Sequence, residues 1–141
     1  MTDTTDLINH TDTNMFKTLL VEDNLNYRGV LKSALLKRFE SMETKEASDE
    51  SETMNAVDEY VPDLVIMDIH LKDGDNGLDL ISKIKHEHPQ TVIIILSQHD
   101  IPEYRSAART NGADIFFSKS SSLENIFDYV YSLIENKKVH H

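Results

Sequence analysis

Two runs, DLVIMDI at residues 63–69 and TVIIILS at 91–97, are apolar at nearly every position. A strand wetted on one face alternates apolar and polar residues, whereas a continuous apolar run needs cover on both faces. That requirement points to a parallel sheet held between two layers of helices. KTLLV (17–21), METKEAS (42–48) and ADIFFSK (113–119) read as further strands, the second of them weak. Between the strands, Leu25 to Phe39 carries Leu25, Val30, Leu31, Ala34, Leu35 and Phe39 at helical spacing, with Asn24 as its cap. Ser48 and Asp49 open a second helix with the stripe Met54, Val57 and Tyr60, bounded by Pro62. Gly77 to His86, IPEYRSAART with its stop at Gly112, and Leu123 to Ile134 supply three more. Strict alternation of five strands with five helices predicts a doubly wound α/β fold, a five-stranded parallel sheet with right-handed crossovers.

The domain is expected over 16–136, after a mobile arm at 1–15 and before a tail at 137–141 whose final His140 and His141 read as an expression scar. The arm is Thr, Asp and Asn with few apolar anchors, a composition that cannot offset the entropy of ordering. No cysteine is present, which excludes disulfides, thiolate zinc sites and cysteine nucleophiles. No apolar stretch approaches membrane-spanning length and the start lacks signal-peptide character, so a cytoplasmic location is expected. With 14 basic and 25 acidic side chains the net charge is −11, a field that repels nucleic acid and anionic membranes.

In open α/β sheets ligands bind beyond the carboxyl ends of the strands. The polar residues with chemistry fall there: Glu22 and Asp23 after the first strand, Asp68 after the third, Ser97 at the end of the fourth and Lys119 after the fifth. Three crowded carboxylates repel one another unless a cation compensates, and an all-oxygen set suits magnesium with a phosphate as the missing ligand. Lys119 adds a fixed positive charge and Ser97 a hydroxyl donor, which completes a site for a phosphoryl group. Taken singly, each group has an ordinary explanation: a strand-end carboxylate, a solvated lysine, a helix-capping serine.

Together, VED (21–23), PDLVIMDIHL (62–71), LS (96–97), NGA (111–113) and FFSK (116–119) resemble the receiver domain of two-component response regulators. The resemblance covers roughly Lys17 to Ile134 and implies a flavodoxin-like three-layer sandwich. It implies that Asp68 accepts a phosphoryl group from a histidine kinase or phosphotransfer protein. It further implies that Glu22, Asp23, Asp68 and the backbone carbonyl of His70 hold magnesium, that Ser97 and Lys119 bind the phosphoryl oxygens, and that Phe116 is the aromatic switch. The module would then turn a partner-binding face on or off for a downstream protein or output domain, with dimerisation through the last helix left open.

HLKDGDNG (70–77) has Lys72 where the family commonly has proline, in a loop one residue longer. Ser120 follows Lys119 where many receivers carry a cis proline; a cis bond to a non-proline residue costs about 2.5–4 kcal/mol, so a trans bond or a rearranged turn is expected. YRGVL and FFSKSSSLENI look closer to receivers that precede helix-turn-helix output domains. His70 and His99 each lie two residues beyond a matched site residue. The resemblance implies that they tune the lifetime and pH response of the acyl phosphate; the alternative is a pair of solvent-exposed loop residues. His86 and His88 read as surface residues. Two other functions remain. A haloacid dehalogenase-type phosphohydrolase wants its Asp after the first strand and an acid where His70 stands, and a pseudo-receiver would bind a partner without phosphorylation.

Overall fold

The computed structural model describes residues 15–71, 74 and 76–139. The expected arm apart from Met15, Lys72 in the altered loop, and His140 and His141 lie outside the described residues. In chain order the elements are β1 (Phe16–Val21), α1 (Leu25–Arg38), β2 (Met42–Ala47), α2 (Glu50–Tyr60) and β3 (Leu64–Met67). They continue with α3 (Gly77–Glu87), β4 (Val92–Ser97), α4 (Pro102–Asn111), β5 (Ile115–Ser118) and α5 (Leu123–Val139). The strands form one parallel sheet in the order β2-β1-β3-β4-β5. Both the alternation and the doubly wound fold expected from the sequence are present. Among the described residues no helix is long and apolar enough to cross a membrane.

The apolar runs have the two-sided role that their composition demands. Leu19, Val21, Val65, Met67, Ile93 and Ile95 pack with Val57, Ile81 and Ile84 on the side of α2, α3 and α4. Their sequence neighbours Leu20, Leu64, Ile66, Ile94 and Leu96 pack with Leu31, Leu35, Ile126 and Val130 on the side of α1 and α5. Strand order reverses between β1 and β3: the chain leaves β1 to one side for β2, then crosses back to β3 and proceeds the other way. That reversal opens a crevice at the carboxyl ends of β1 and β3.

Local chemistry sets the boundaries. Asn24 Oδ1 accepts the Tyr27 N–H at 3.0 Å, and Asp49 Oδ1 accepts the Glu52 N–H at 2.8 Å, each capping its helix as expected. Gly112, at φ 111°, ends α4. Two expectations change. Leu25 and Val30 are 66% and 63% exposed, because α1 turns Leu31, Leu35, Ala34 and Tyr27 inward, leaving Leu25 on the far side and Val30 beyond the edge of that stripe. The last helix also runs beyond Ile134 through Lys137 and Lys138 to Val139. Lys137 Nζ donates to Asp63 Oδ2 at 2.8 Å and to the Met15 carbonyl at 3.1 Å, and cations suit a helix C-terminus.

Gly77 fixes how α3 meets the end of β3. Its N–H donates to the Ile69 carbonyl at 2.8 Å, and a Cβ there would stand 2.8 Å from the backbone of both Asp68 and Ile69. Gly29, on the exposed side of α1, has nothing within 4 Å of the same added atom. One chemical change should therefore act in opposite directions at the two sites. Gly77→Ala should lose about 1–3 kcal/mol through overpacking against backbone. Gly29→Ala should gain roughly 0.5–1 kcal/mol from reduced chain entropy in the unfolded state. Urea unfolding of both variants checks this, and equal shifts would contradict the packing account.

Candidate functional site

Three buried charges meet in the crevice. Lys119 Nζ, beyond β5, donates to Glu22 Oε1 at 2.5 Å and to Asp68 Oδ2 at 2.9 Å. Their side chains are only 12%, 7% and 8% exposed for Lys119, Glu22 and Asp68. Each remaining carboxylate oxygen takes a backbone donor: Glu22 Oε2 the Asn24 N–H at 3.0 Å, and Asp68 Oδ1 the His70 N–H at 3.1 Å. Buried ions persist only when paired and hydrogen-bonded, and every oxygen of both carboxylates is. Burial pushes Glu22 above its ordinary pKa, and the Lys119 and Asn24 bonds pull it only partly back. Burial also pulls Lys119 down, but Glu22 and Asp68 outweigh that effect and leave its pKa raised.

The surrounding elements fix these groups. Arg28, on α1, donates through Nη1 to the carbonyl of Glu22 at 3.0 Å and to Ser48 Oγ at 2.9 Å, while its Nε pairs with Glu46 at 2.9 Å. It ties the end of β1 to the end of β2. The Tyr27 ring lies 4.5 Å from Lys119 Nζ, and burial raises the pKa of its hydroxyl. Fully buried Ser97 accepts the Lys119 N–H on its carbonyl at 2.8 Å and the His99 N–H on its Oγ at 3.1 Å. The Lys119–Ser120 bond is trans, as expected. Serines build the turn instead: Ser120 N–H bonds Ser118 Oγ at 3.1 Å, and Ser121 N–H bonds the Ser118 carbonyl at 2.9 Å.

Of the residues singled out from the sequence, Glu22, Asp68, Lys119 and Ser97 converge. Asp23 is exposed. Among the described residues, the acidic or histidine side chains whose ligand atoms all lie within 4.8 Å of one another are Asp58, Glu87 and His88. That group sits at the opposite edge of the sheet, where α2 and α3 end. His88 is thus not a bare surface residue, since its Nε2 lies 3.0 Å from Asp58 Oδ1, while His86 is exposed as expected.

His70 and His99 are both exposed, yet their ring centroids lie 4.6 Å apart, and Tyr104 stands 5.4 Å from His70 as a third ring. Phe116 is buried beneath Arg105, whose guanidinium carbon lies 4.7 Å above its ring. Arg105 also grips both oxygens of Asp100, at 2.5 and 3.1 Å, and donates to the Phe116 carbonyl at 3.3 Å. Sequence reasoning missed Tyr27, Arg28, Tyr104 and Arg105. A signal existed for Tyr27, which precedes Leu31 by one helical turn; for the others the partners become visible only in three dimensions.

Residues 18–131 match the family described as the response regulator receiver domain. The chain is 32% identical over 108 residues to the probable transcriptional regulatory protein TcrX of Mycobacterium tuberculosis, covering 77% of this chain and 45% of that protein. It is 36% identical over 80 residues to the oxygen regulatory protein NreC of Staphylococcus haemolyticus, covering 57% of this chain and 37% of that one. It therefore spans less than half the length of these curated relatives. The crystal structure of the receiver domain of NtrX from Brucella abortus aligns at a TM-score of 0.75 and 28% identity, covering 84% of this chain and 98% of that one. A LuxR-family two-component response regulator from Aurantimonas sp. shares the fold at a TM-score of 0.78 and 23% identity, covering 86% of each chain.

The charge pattern makes Lys119 a stability determinant whose effect depends on pH. A raised folded pKa means that the Lys119 contribution is complete below its ordinary value of 10.5 and is lost as pH rises through the higher folded value. Glu22, also raised, favours the fold most below its ordinary 4.5 and less as pH climbs through its folded value. Lys119→Met removes the bond that restrains Glu22, leaving buried carboxylates uncompensated at neutral pH. The expected loss is about 3 kcal/mol at pH 7–8, shrinking as pH falls and Glu22 takes up a proton. Denaturant midpoints of wild type and variant between pH 5 and 8 give the difference; a deficit independent of pH would refute the electrostatic account.

Proposed function

The chain belongs to the response regulator receiver domain family, and on that premise we propose that it is a phosphorylation-controlled switch whose Asp68 accepts a phosphoryl group. The observation that carries this reading is the buried Glu22–Lys119–Asp68 set at the point where strand order reverses. A carboxylate paired with an ammonium at the mouth of a crevice is suited to act as a nucleophile. A carboxylate oxygen of Asp68 attacks phosphorus while the bond from phosphorus to the donor nitrogen breaks, the donor being a phosphohistidine of a histidine kinase or phosphotransfer protein. Lys119, 2.9 Å from Asp68, pairs with the transferred oxygens. Ser97 Oγ accepts from His99, so its own proton remains available for a phosphoryl oxygen.

An oxygen-only donor set, the carboxylates of Glu22, Asp23 and Asp68 with the His70 carbonyl, fits magnesium chemically. When bound, the ion would neutralise charge on the transferring group. Glu22 accepts one donor on each oxygen, which leaves lone pairs with which it would hold a cation. The clustered rings of His70, His99 and Tyr104, tilted or edge-on to one another, support a role in screening the acyl phosphate from water.

The signal would pass to a downstream protein or output segment by way of Phe116 and the face around it. The regulatory names of TcrX and NreC concern those proteins. A net charge of −11 disfavours direct contact of this chain with nucleic acid. The competing reading is a pseudo-receiver that binds its partner unphosphorylated, and the exposure of Asp23 is the observation on its side. A haloacid dehalogenase-type hydrolase is disfavoured, because Asp68 follows β3 and His70 takes the place of the second acid.

Intact-mass analysis after incubation with acetyl phosphate, with and without magnesium, decides between these. We expect a single phosphoryl adduct that requires magnesium and is absent from Asp68→Asn. If neither that adduct nor a magnesium-dependent beryllofluoride complex forms, the pseudo-receiver reading replaces this one.

A further inference from the structure

We infer that Tyr27 is a positioning residue for phosphoryl transfer: the face of its ring is the third neighbour of the Lys119 ammonium and holds it at Asp68 while the other two neighbours change. The inference rests on the receiver reading above. An ammonium has three N–H donors. Two reach Glu22 Oε1 and Asp68 Oδ2, at 2.5 and 2.9 Å, and the Tyr27 ring centroid lies 4.5 Å from the same nitrogen, within cation–π range.

The chain needs such a holder. Lys119 extends from the end of β5 on a flexible four-carbon stem, so its backbone position does not fix its charge. Both carboxylate partners alter in the reaction: Glu22 is a metal ligand in the proposed chemistry, and Asp68 becomes an acyl phosphate. The ring is the neighbour that keeps its place. Its own N–H is bonded to the Asn24 cap at 3.0 Å, and Tyr27 packs against the core on the α1 and α5 side. With Glu22, Asp68, Leu31 and Leu96 it also lines a cavity of about 10 Å³ behind the carboxylates, about the space of a single water. A neutral π face attracts the ammonium without competing for it as a third carboxylate would.

The contact is with the ring, so phenylalanine should preserve it and leucine should not. The measurements are the acetyl-phosphate phosphorylation rate at saturating magnesium and the NMR shifts of the Lys119 side-chain methylenes in wild type, Tyr27→Phe and Tyr27→Leu. We expect Tyr27→Leu to be about fivefold slower, equivalent to ~1 kcal/mol of barrier, with Tyr27→Phe within twofold of wild type. The upfield ring-current shift of the Lys119 methylenes should persist in Tyr27→Phe and vanish in Tyr27→Leu. Matched thermal melts would exclude a folding defect, and if Tyr27→Leu melts early, the Phe variant and the Lys119 shifts still decide. A wild-type rate in Tyr27→Leu, or a Phe variant as slow as Leu, overturns the positioning role. A wild type that takes up no phosphoryl group overturns the receiver reading instead and this inference with it.

Discussion

The Lys119 ammonium, shared between Glu22 and Asp68 at 2.5 and 2.9 Å, is the contact on which the site depends. Two carboxylates almost out of reach of water would repel each other and lose several kcal/mol of hydration. One cation between them offsets both costs, and the backbone N–H groups of Asn24 and His70 complete the hydrogen bonding. The result is a fully hydrogen-bonded set of charges at the crevice, in a place where an unpaired carboxylate would be too costly to bury. The same arrangement explains why three strands must end at one level: the residues after β1, β3 and β5 share a single charge balance.

The sheet supplies that alignment through apolar chemistry. Ile93 and Ile95 serve one core while Ile94 and Leu96 serve the other, so β4 cannot slip by one residue without exchanging its two faces. Register then fixes Ser97 beside Ser118 and places Lys119 one residue beyond. Packing on both faces is therefore what gives the polar edge its precision. Gly77 extends the same logic to α3, since its missing side chain lets the helix start against the backbone that follows Asp68.

Most of this was legible in the sequence because strand ends are marked by a change from apolar to polar residues, and that change locates Glu22, Asp68, Ser97 and Lys119 without knowledge of side-chain direction. Direction is where legibility stops. Spacing alone assigned Leu25 and Val30 to the buried stripe of α1, and the phase of the packed helix places them outward while turning Tyr27 toward Lys119. Asp23 follows Glu22 directly, yet one is exposed and the other buried, a difference that adjacency in sequence does not reveal. The grip of Arg105 on Asp100 and Phe116 joins a loop, a helix and a strand, a combination that no local pattern encodes.

That grip bears on how a change at Asp68 could be felt elsewhere. Lys119 bonds Asp68 through its side chain and Ser97 through its backbone N–H. Ser97 in turn holds the His99 N–H, and the adjacent Asp100 is held by Arg105, which covers Phe116. Every step is a direct bond or ring contact, so the crevice and the buried aromatic are mechanically continuous. Packed side chains and hydrogen-bond networks of this kind are what carry energetic coupling between sites. At Ser97 the Oγ accepts the His99 N–H, which ties the end of β4 to the loop that carries Asp100. A rigid sheet behind Ser97 leaves that loop as the element able to respond.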